Sequence, residues 1–251
     1  MRSNGHTVNL LETRKMSIFS FSRGAKRALV AGGALVIATV SVATFSGSAA
    51  TAAPKSPQRP AAASAPSAKV PRPVAVTVDP RTTAYLLLDL TSAVCAPHPS
   101  CISSLPAAAG LLAKARAAGA TVIYSQTPAA GSEILPQVAP QPGDPVVTAR
   151  ADKFFGTDLD QILSSRGIKT LIVVGTAANG AVLYTTFEAN LRGYTVVVAE
   201  DGVSAVSPFI MRYSLFQLLN EPGFTNTENT PLTTNAVTLS NSKLVTFGAS
   251  S

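Results

Sequence analysis

The sequence predicts an α/β domain, a three-layer α/β/α arrangement around a central, mainly parallel sheet of about six strands. Two observations carry this expectation. Thr83-Ala-Tyr-Leu-Leu-Leu-Asp-Leu90 and Thr170-Leu-Ile-Val-Val-Gly175 are almost continuous apolar runs. They lack the alternation of a half-exposed strand, so they read as strands buried on both faces, as in a parallel sheet. Such runs also alternate with helical segments and short turns, the pattern of βαβ units. No internal repeat is visible.

Taken in order, the first strand, from Thr83, ends in Asp89. A carboxylate there is costly to bury without a partner, so it is a functional acid or a cap for the next loop. Ser104 to Ala118 is rich in Ala and Leu, with Lys114 and Arg116 near its end and Gly119 behind it. This is a helix with cations at its C-terminus and a glycine stop. Ala120 to Ser125 is the next strand. Gln126 to Pro145 is rich in Pro and Gly, and an irregular segment of this length reads as a lid or binding loop. Val146–Thr148 is a short strand. Asp158 to Arg166 is a helix capped by Thr157 or Asp158 and closed by Gly167. After the second buried run, Asn179 is a candidate helix N-cap. Leu183, Phe187 and Leu191, spaced four apart, form one apolar helix face. Tyr184 and Phe187 read as core. Tyr194 to Ala199 is a strand ending in Glu200-Asp201-Gly202. Pro208 to Leu219 is a helix with Pro in its first turn, and Ala236 to Leu239 is an edge strand.

The domain does not fill the chain. Residues 1–78 hold ten Lys/Arg and one Glu (+9), and residues 79–251 hold ten Lys/Arg and twelve Asp/Glu (−2), which together give the net +7. The basic character belongs to the leader, so nucleic-acid binding loses its main support. Arg14, Lys15, Arg23, Lys26 and Arg27 precede an uncharged run from Ala28 to Phe45. Ser48-Ala-Ala50 and Ala50-Thr-Ala52 then fit a cleavage site. Residues 1–53 therefore read as a signal peptide, with Met16 an alternative start, and the destination is secreted or periplasmic. The uncharged run has 18 residues, near the ~18 of a membrane span, so a retained anchor is the alternative. After cleavage no membrane association is expected. Residues 54–78 read as a Pro/Ala-rich disordered linker, and residues 79–251 as the folded domain. The two cysteines, Cys95 and Cys101, are six apart. In an exported protein a disulfide is the default; the alternative makes Cys95 a nucleophile beside His98.

Several chemistries lack residues. His98 is the only histidine past the leader, so a His-rich metal site is excluded. No G-x-G-x-x-G or G-K-[ST] motif is present, so nucleotide phosphates have no cradle. What remains is Asp89, the cations Arg150 and Lys153, and the turn from Gly175 to Ala181 at the carboxyl end of a buried strand. Open α/β sheets place ligands at such ends, and backbone amides there can hold an oxyanion.

Three motifs together resemble the isochorismatase-like family, also called cysteine hydrolases. They are Leu86-Leu-Leu-Asp-Leu90; Phe154-Phe-Gly-Thr-Asp-Leu159 with Arg166-Gly-Ile-Lys-Thr-Leu-Ile-Val-Val-Gly175; and Gly175-Thr-Ala-Ala-Asn-Gly-Ala-Val182 leading to Arg192-Gly-Tyr194 and Glu200-Asp201. The resemblance spans Thr83 to Asp201. It implies a catalytic Asp, Lys and Cys, with turn amides as the oxyanion hole. Asp89 matches the Asp. The Cys position is Ala181, so no thioester route is available. The Lys position falls near Ala149, and Lys153 (or Arg150) is the nearby cation. No metal-binding His and no cofactor are implied. True isochorismatases also lack the Cys, and there protonation of a vinyl ether by the Asp is central. The resemblance thus implies a hydrolase of a small anionic molecule. Asp89 would be its acid/base, Lys153 or Arg150 would hold the anion, and the Gly180 and Ala181 amides would hold developing charge. The alternative is an inactive relative serving as a small-molecule binding module. Many members form homo-oligomers.

Overall fold

The computed structural model describes residues 69–248. The signal-peptide expectation and most of the linker lie outside these residues. The elements in chain order are β1 (Val76–Val78), β2 (Thr83–Leu88), α1 (Pro99–Ala117), β3 (Thr121–Gln126), β4 (Val146–Thr148), α2 (Leu159–Ser165), β5 (Thr170–Thr176), α3 (Leu183–Leu191), β6 (Thr195–Ser204), α4 (Pro208–Leu219), β7 (Val237–Ser240) and β8 (Val245–Phe247).

Six strands form one sheet in the order β4-β3-β2-β5-β6-β7, and every neighbouring pair is parallel. The two apolar runs are its centre. Every residue of β2 is buried, and β5 is buried from Leu171 to Thr176. Side chains alternate between faces even in a continuous apolar run. Leu86, Leu88, Leu171, Val173, Val196 and Val198 pack with α2, α3 and α4. Tyr85, Leu87, Ile172, Val174 and Val197 pack with α1. Burying one such Leu or Val contributes about 1.5–3 kcal/mol. Tyr85 also donates its hydroxyl proton to Ala108 O in α1 at 2.9 Å, which satisfies the polar end of a buried ring.

The chain leaves β2 toward β3 and β4, then returns to the other side of β2 as β5. The sheet order therefore reverses between β2 and β5, and this crevice is where such sheets bind ligands. The two strands approach closely at their carboxyl ends, where Leu88 pairs with Gly175. Gly175 has φ 131°, and any Cβ there would overlap the Leu88 carbonyl. Glycine is required at this position.

Several boundaries differ from the expectation. α1 begins at Pro99, five residues before Ser104. β6 runs on through Glu200 and Asp201 to Ser204, because its pairing with β5 resumes past an irregularity at Gly175–Val203 and Thr176–Ser204. Asp201 is kept there by two bonds from Ser242, N–H at 2.8 Å and hydroxyl at 2.6 Å. The stretch expected as linker to residue 78 is folded at its end. Val74 N–H donates to Leu239 O at 3.0 Å, and β1 pairs with β8 as a separate two-stranded parallel sheet. Asp158 is the N-cap residue of α2 but makes no side-chain cap bond, and Thr157 Oγ1 instead accepts Leu159 N–H at 3.2 Å.

α3 needs the largest correction. Asn179 does not cap it. Ala178–Val182 is a separate wide turn without a side-chain cap, broken by Gly180 at φ −120°, ψ −112°. The helix starts at Leu183. Its inner face is Thr185, Thr186, Ala189 and Asn190, whereas Leu191 is 53% exposed and Tyr184 is exposed as well. Two of these polar side chains find partners, while Thr186 Oγ1 and Asn190 Oδ1 have none. Thr185 Oγ1 accepts Lys153 N–H at 3.2 Å, and Asn190 Nδ2 donates to Tyr194 O at 2.9 Å.

Candidate active site

Asp89 directly follows β2, in the crevice between β2 and β5, with φ 54°. That conformation costs a non-glycine residue energy, of order 1–3 kcal/mol, and persists where surroundings hold it. The holding bonds are visible. Asp89 N–H donates to Ser125 O at 3.2 Å, and Thr91 N–H donates to Asp89 O at 2.8 Å. The side chain is 3% exposed yet forms part of a cavity wall. Ser125 Oγ donates to Oδ1 at 2.8 Å. Lys153 Nζ lies 2.7 Å from Oδ2.

Lys153 is delivered by the loop that joins β4 to α2, and it is 0% exposed. Its ammonium group also meets Ala149 O at 2.9 Å and Arg150 O at 2.5 Å. These two carbonyls and Asp89 use all three of its N–H donors. Lys153 thus holds the Asp89 carboxylate and does not line the cavity. Arg150 is the cation that lines the cavity.

Burial shifts both members of the pair toward neutrality. It pushes Asp89 above the ordinary carboxylate range, against the attraction of Lys153 and the Lys153 and Ser125 hydrogen bonds. It pulls Lys153 below the ordinary amine range, against the attraction of Asp89. A carboxyl with a raised pKa beside a cavity is suited to exchange a proton with a ligand.

The cavity holds about 500 Å³. Asp89, Arg150, Gly180 and Ala181 all line it, together with Thr127 and Pro128 from the start of the long irregular segment. Of the expected oxyanion pair, one amide is already engaged. Gly180 N–H donates to Ala177 O at 2.8 Å, leaving Ala181 N–H as the remaining candidate of that pair. Cys95 and Cys101 are joined at an S–S distance of 2.07 Å. The bridge ties the first turn of α1 to the loop whose Val94 lines the cavity.

Two participants had only weak signals in the sequence. Ser125 is a small hydroxyl residue at the carboxyl end of a mostly apolar run, next to the strand that leads into Asp89. Thr176 lines the cavity from the end of β5.

Residues 83–227, 145 of the 251, match the family model described as the isochorismatase domain. The chain belongs to the isochorismatase family. An uncharacterized isochorismatase family protein of Bacillus subtilis is 41% identical over 83 residues, which are 33% of this chain and 44% of that protein. A ureidoacrylate amidohydrolase of Caulobacter segnis is 27% identical over 207 residues, covering 62% of this chain and 87% of its own. The isochorismatase fold is also shared with a crystal structure of an isochorismatase family protein from Desulfovibrio vulgaris. That similarity has a TM-score of 0.57 at 24% identity and covers 65% of this chain and 95% of the other. Within this isochorismatase-family frame, the wall residue that follows Gly180 is Ala181, and neither cysteine of the chain is a free thiol.

Proposed function

We propose that this isochorismatase-family chain is an exported hydrolase of a small anionic molecule, with Asp89 as its acid/base and no covalent thioester step. The observation that carries this is the Asp89 carboxyl. It is buried, held by Lys153 at 2.7 Å and Ser125 at 2.8 Å, and it borders a cavity that Arg150 also lines. Arg150 meets the anionic end of the substrate. Asp89 transfers the proton. For a vinyl ether, the Asp89 proton goes to the vinyl carbon and water adds to the resulting oxocarbenium carbon. The hemiketal then collapses to a ketone and an alcohol, and the proton lost by water returns to Asp89. For an amide or ureide, water takes the place of the absent thiol: Asp89 accepts its proton as it adds to the carbonyl carbon and passes that proton to the departing nitrogen as the C–N bond breaks. Export rests on the basic, apolar and small-residue order of residues 14–52, and N-terminal sequencing of the secreted protein tests it. Recovery of uncleaved chain in the cytoplasmic fraction would refute export, and uncleaved chain in the membrane fraction would instead favour the retained anchor.

Ala181 supports a second reading, a binding module that kept the pocket without turnover. The purified protein and Asp89→Asn are to be screened against vinyl ethers, amides and ureides. Hydrolysis abolished by the substitution supports the enzyme. Saturable ligand binding with no turnover in either protein supports the module.

A further inference from the structure

A second cavity lies between α3 and the end of α4. It holds about 180 Å³ and shares no lining residue with the Asp89 cavity. Leu183, Tyr184 and Phe187 form one side, and Gln217, Glu221 and Pro222 the other. Apart from Gln217 and Glu221, the walls are apolar and aromatic. Glu221 is 2% exposed, and neither of its carboxylate oxygens has a hydrogen-bond partner. Such an arrangement is costly. A buried polar group without a partner forfeits about 1–3 kcal/mol, and a charged one more. Native proteins keep few of these groups, and an unrecorded ion or ligand is one established reason for keeping one.

We infer that this cavity is a binding site for a small primary ammonium ion with an apolar body. The donors of the ammonium group satisfy the Glu221 oxygens. The apolar body fills the space against Leu183 and Pro222. Tyr184 and Phe187 supply the aromatic faces to which cations are attracted. The cavity admits only a compact ligand, and its mouth is open at Tyr184, which is half exposed.

The site makes a second, separate demand on the ligand. Burial pushes the Glu221 carboxyl up to about 8, so at neutral pH it carries a proton in the empty protein. An ammonium ion favours the ionised form. Binding near pH 7 must therefore release a proton, and a neutral ligand of the same shape must not.

The test uses n-butylammonium chloride as probe on the full chain, followed by titration calorimetry and by amide NMR shifts. The expected result is saturable binding with a Kd on the order of 1 mM, the scale of so small a fragment. Shifts concentrate on residues 183–187 and 217–222. The binding heat differs between buffers of low and high ionisation enthalpy, reporting the released proton. Glu221→Gln weakens binding at least about tenfold, a loss of one charge-assisted contact, and removes the buffer dependence. Tyr184→Ala, at an exposed position, weakens it less and serves if Glu221→Gln is poorly folded. n-Butanol, with the same body and no charge, binds at least about tenfold more weakly. Equal binding of n-butanol, unchanged affinity in Glu221→Gln, or shifts confined to the Asp89 cavity would each overturn the proposal.

Discussion

Asp89 and Glu221 are both buried carboxyls, at 3% and 2% exposure, and burial pushes both pKa values up. Their surroundings differ. Asp89 sits at the carboxyl end of a central strand, where the parallel sheet gathers donors from neighbouring strands and loops. Ser125 comes from β3, and Lys153 comes from the loop after β4. Glu221 sits just beyond α4 against an apolar helix face and receives nothing. Burial alone therefore does not set what a carboxyl can do. At Asp89 it is opposed by the charge of Lys153 and by the hydrogen bonds of Lys153 and Ser125. At Glu221 it is unopposed, and the group waits for a partner from outside.

The comparison can be broken at several points. The largest effect is expected from Asp89→Asn, which should lower turnover about 10²–10⁴-fold, the usual worth of a general acid or base. Circular dichroism of the variant checks that the fold is retained. Turnover at the wild-type rate would place the acid/base elsewhere.

Lys153→Met comes next. Removing one partner from a buried pair costs about 3–5 kcal/mol, to be measured by urea denaturation. Combined with Asp89→Asn, much of that loss should return, because no buried charge is then left alone. The lysine holds the Asp89 pKa down, so its loss raises it further. If the protonated form is the active one, the fall of kcat/KM on the alkaline side moves to higher pH.

Glu221→Met acts in the opposite direction. Folded Glu221 has a pKa of about 8 against an ordinary value of 4.5. Between these limits the native state binds more protons than the unfolded state, so wild-type stability falls as pH rises through that window. The variant lacks the group and lacks the fall. It should be about 1–3 kcal/mol more stable than wild type near pH 8, the cost of an unpartnered buried group, with a smaller gain near pH 5. Thermal melts across this range check it.

Ser125→Ala is the smallest change. It removes the bond that Oγ donates to the Asp89 carboxylate and the one it accepts from Asp89 N–H, which also reaches Ser125 O, and should cost about 1 kcal/mol. It shifts the alkaline fall in the same direction as Lys153→Met, by less. An equal shift would mean that the lysine contributes little charge.

Much of the fold was legible because the central strands are written as unbroken apolar runs. β2 and β5 need no polar face, and their extent follows from that. α3 departs from the apolar-face expectation because its inner face carries Thr and Asn, of which Thr185 bonds the Lys153 loop and Asn190 bonds Tyr194, while Leu191 is left outside. β1 and β8 have three residues each and offer no periodicity to detect. β1 also lies inside Pro-rich sequence. β6 extends through two acids because Asp201 bonds Ser242, a contact between residues forty-one apart in the chain. At the site, Asp89 was visible from its place at a strand end. The role of Lys153 was not, because only the folded-back loop turns its ammonium group inward onto three oxygens. Glu221 was missed altogether, since one acid in a polar segment carries no sign of its burial.

The two cysteines of the chain are bonded to each other and fully buried, and Ala181 places a methyl group in the cavity wall. Hydrolases that depend on a thiolate are silenced by peroxide, heavy metals and alkylating agents, because the reactive form of the nucleophile is also the form most easily damaged. This chain presents no such target. Its turnover should be indifferent to iodoacetamide and to mild peroxide, which makes resistance to thiol poisons a signature by which its activity can be told from that of thiol-dependent hydrolases in a mixed extract.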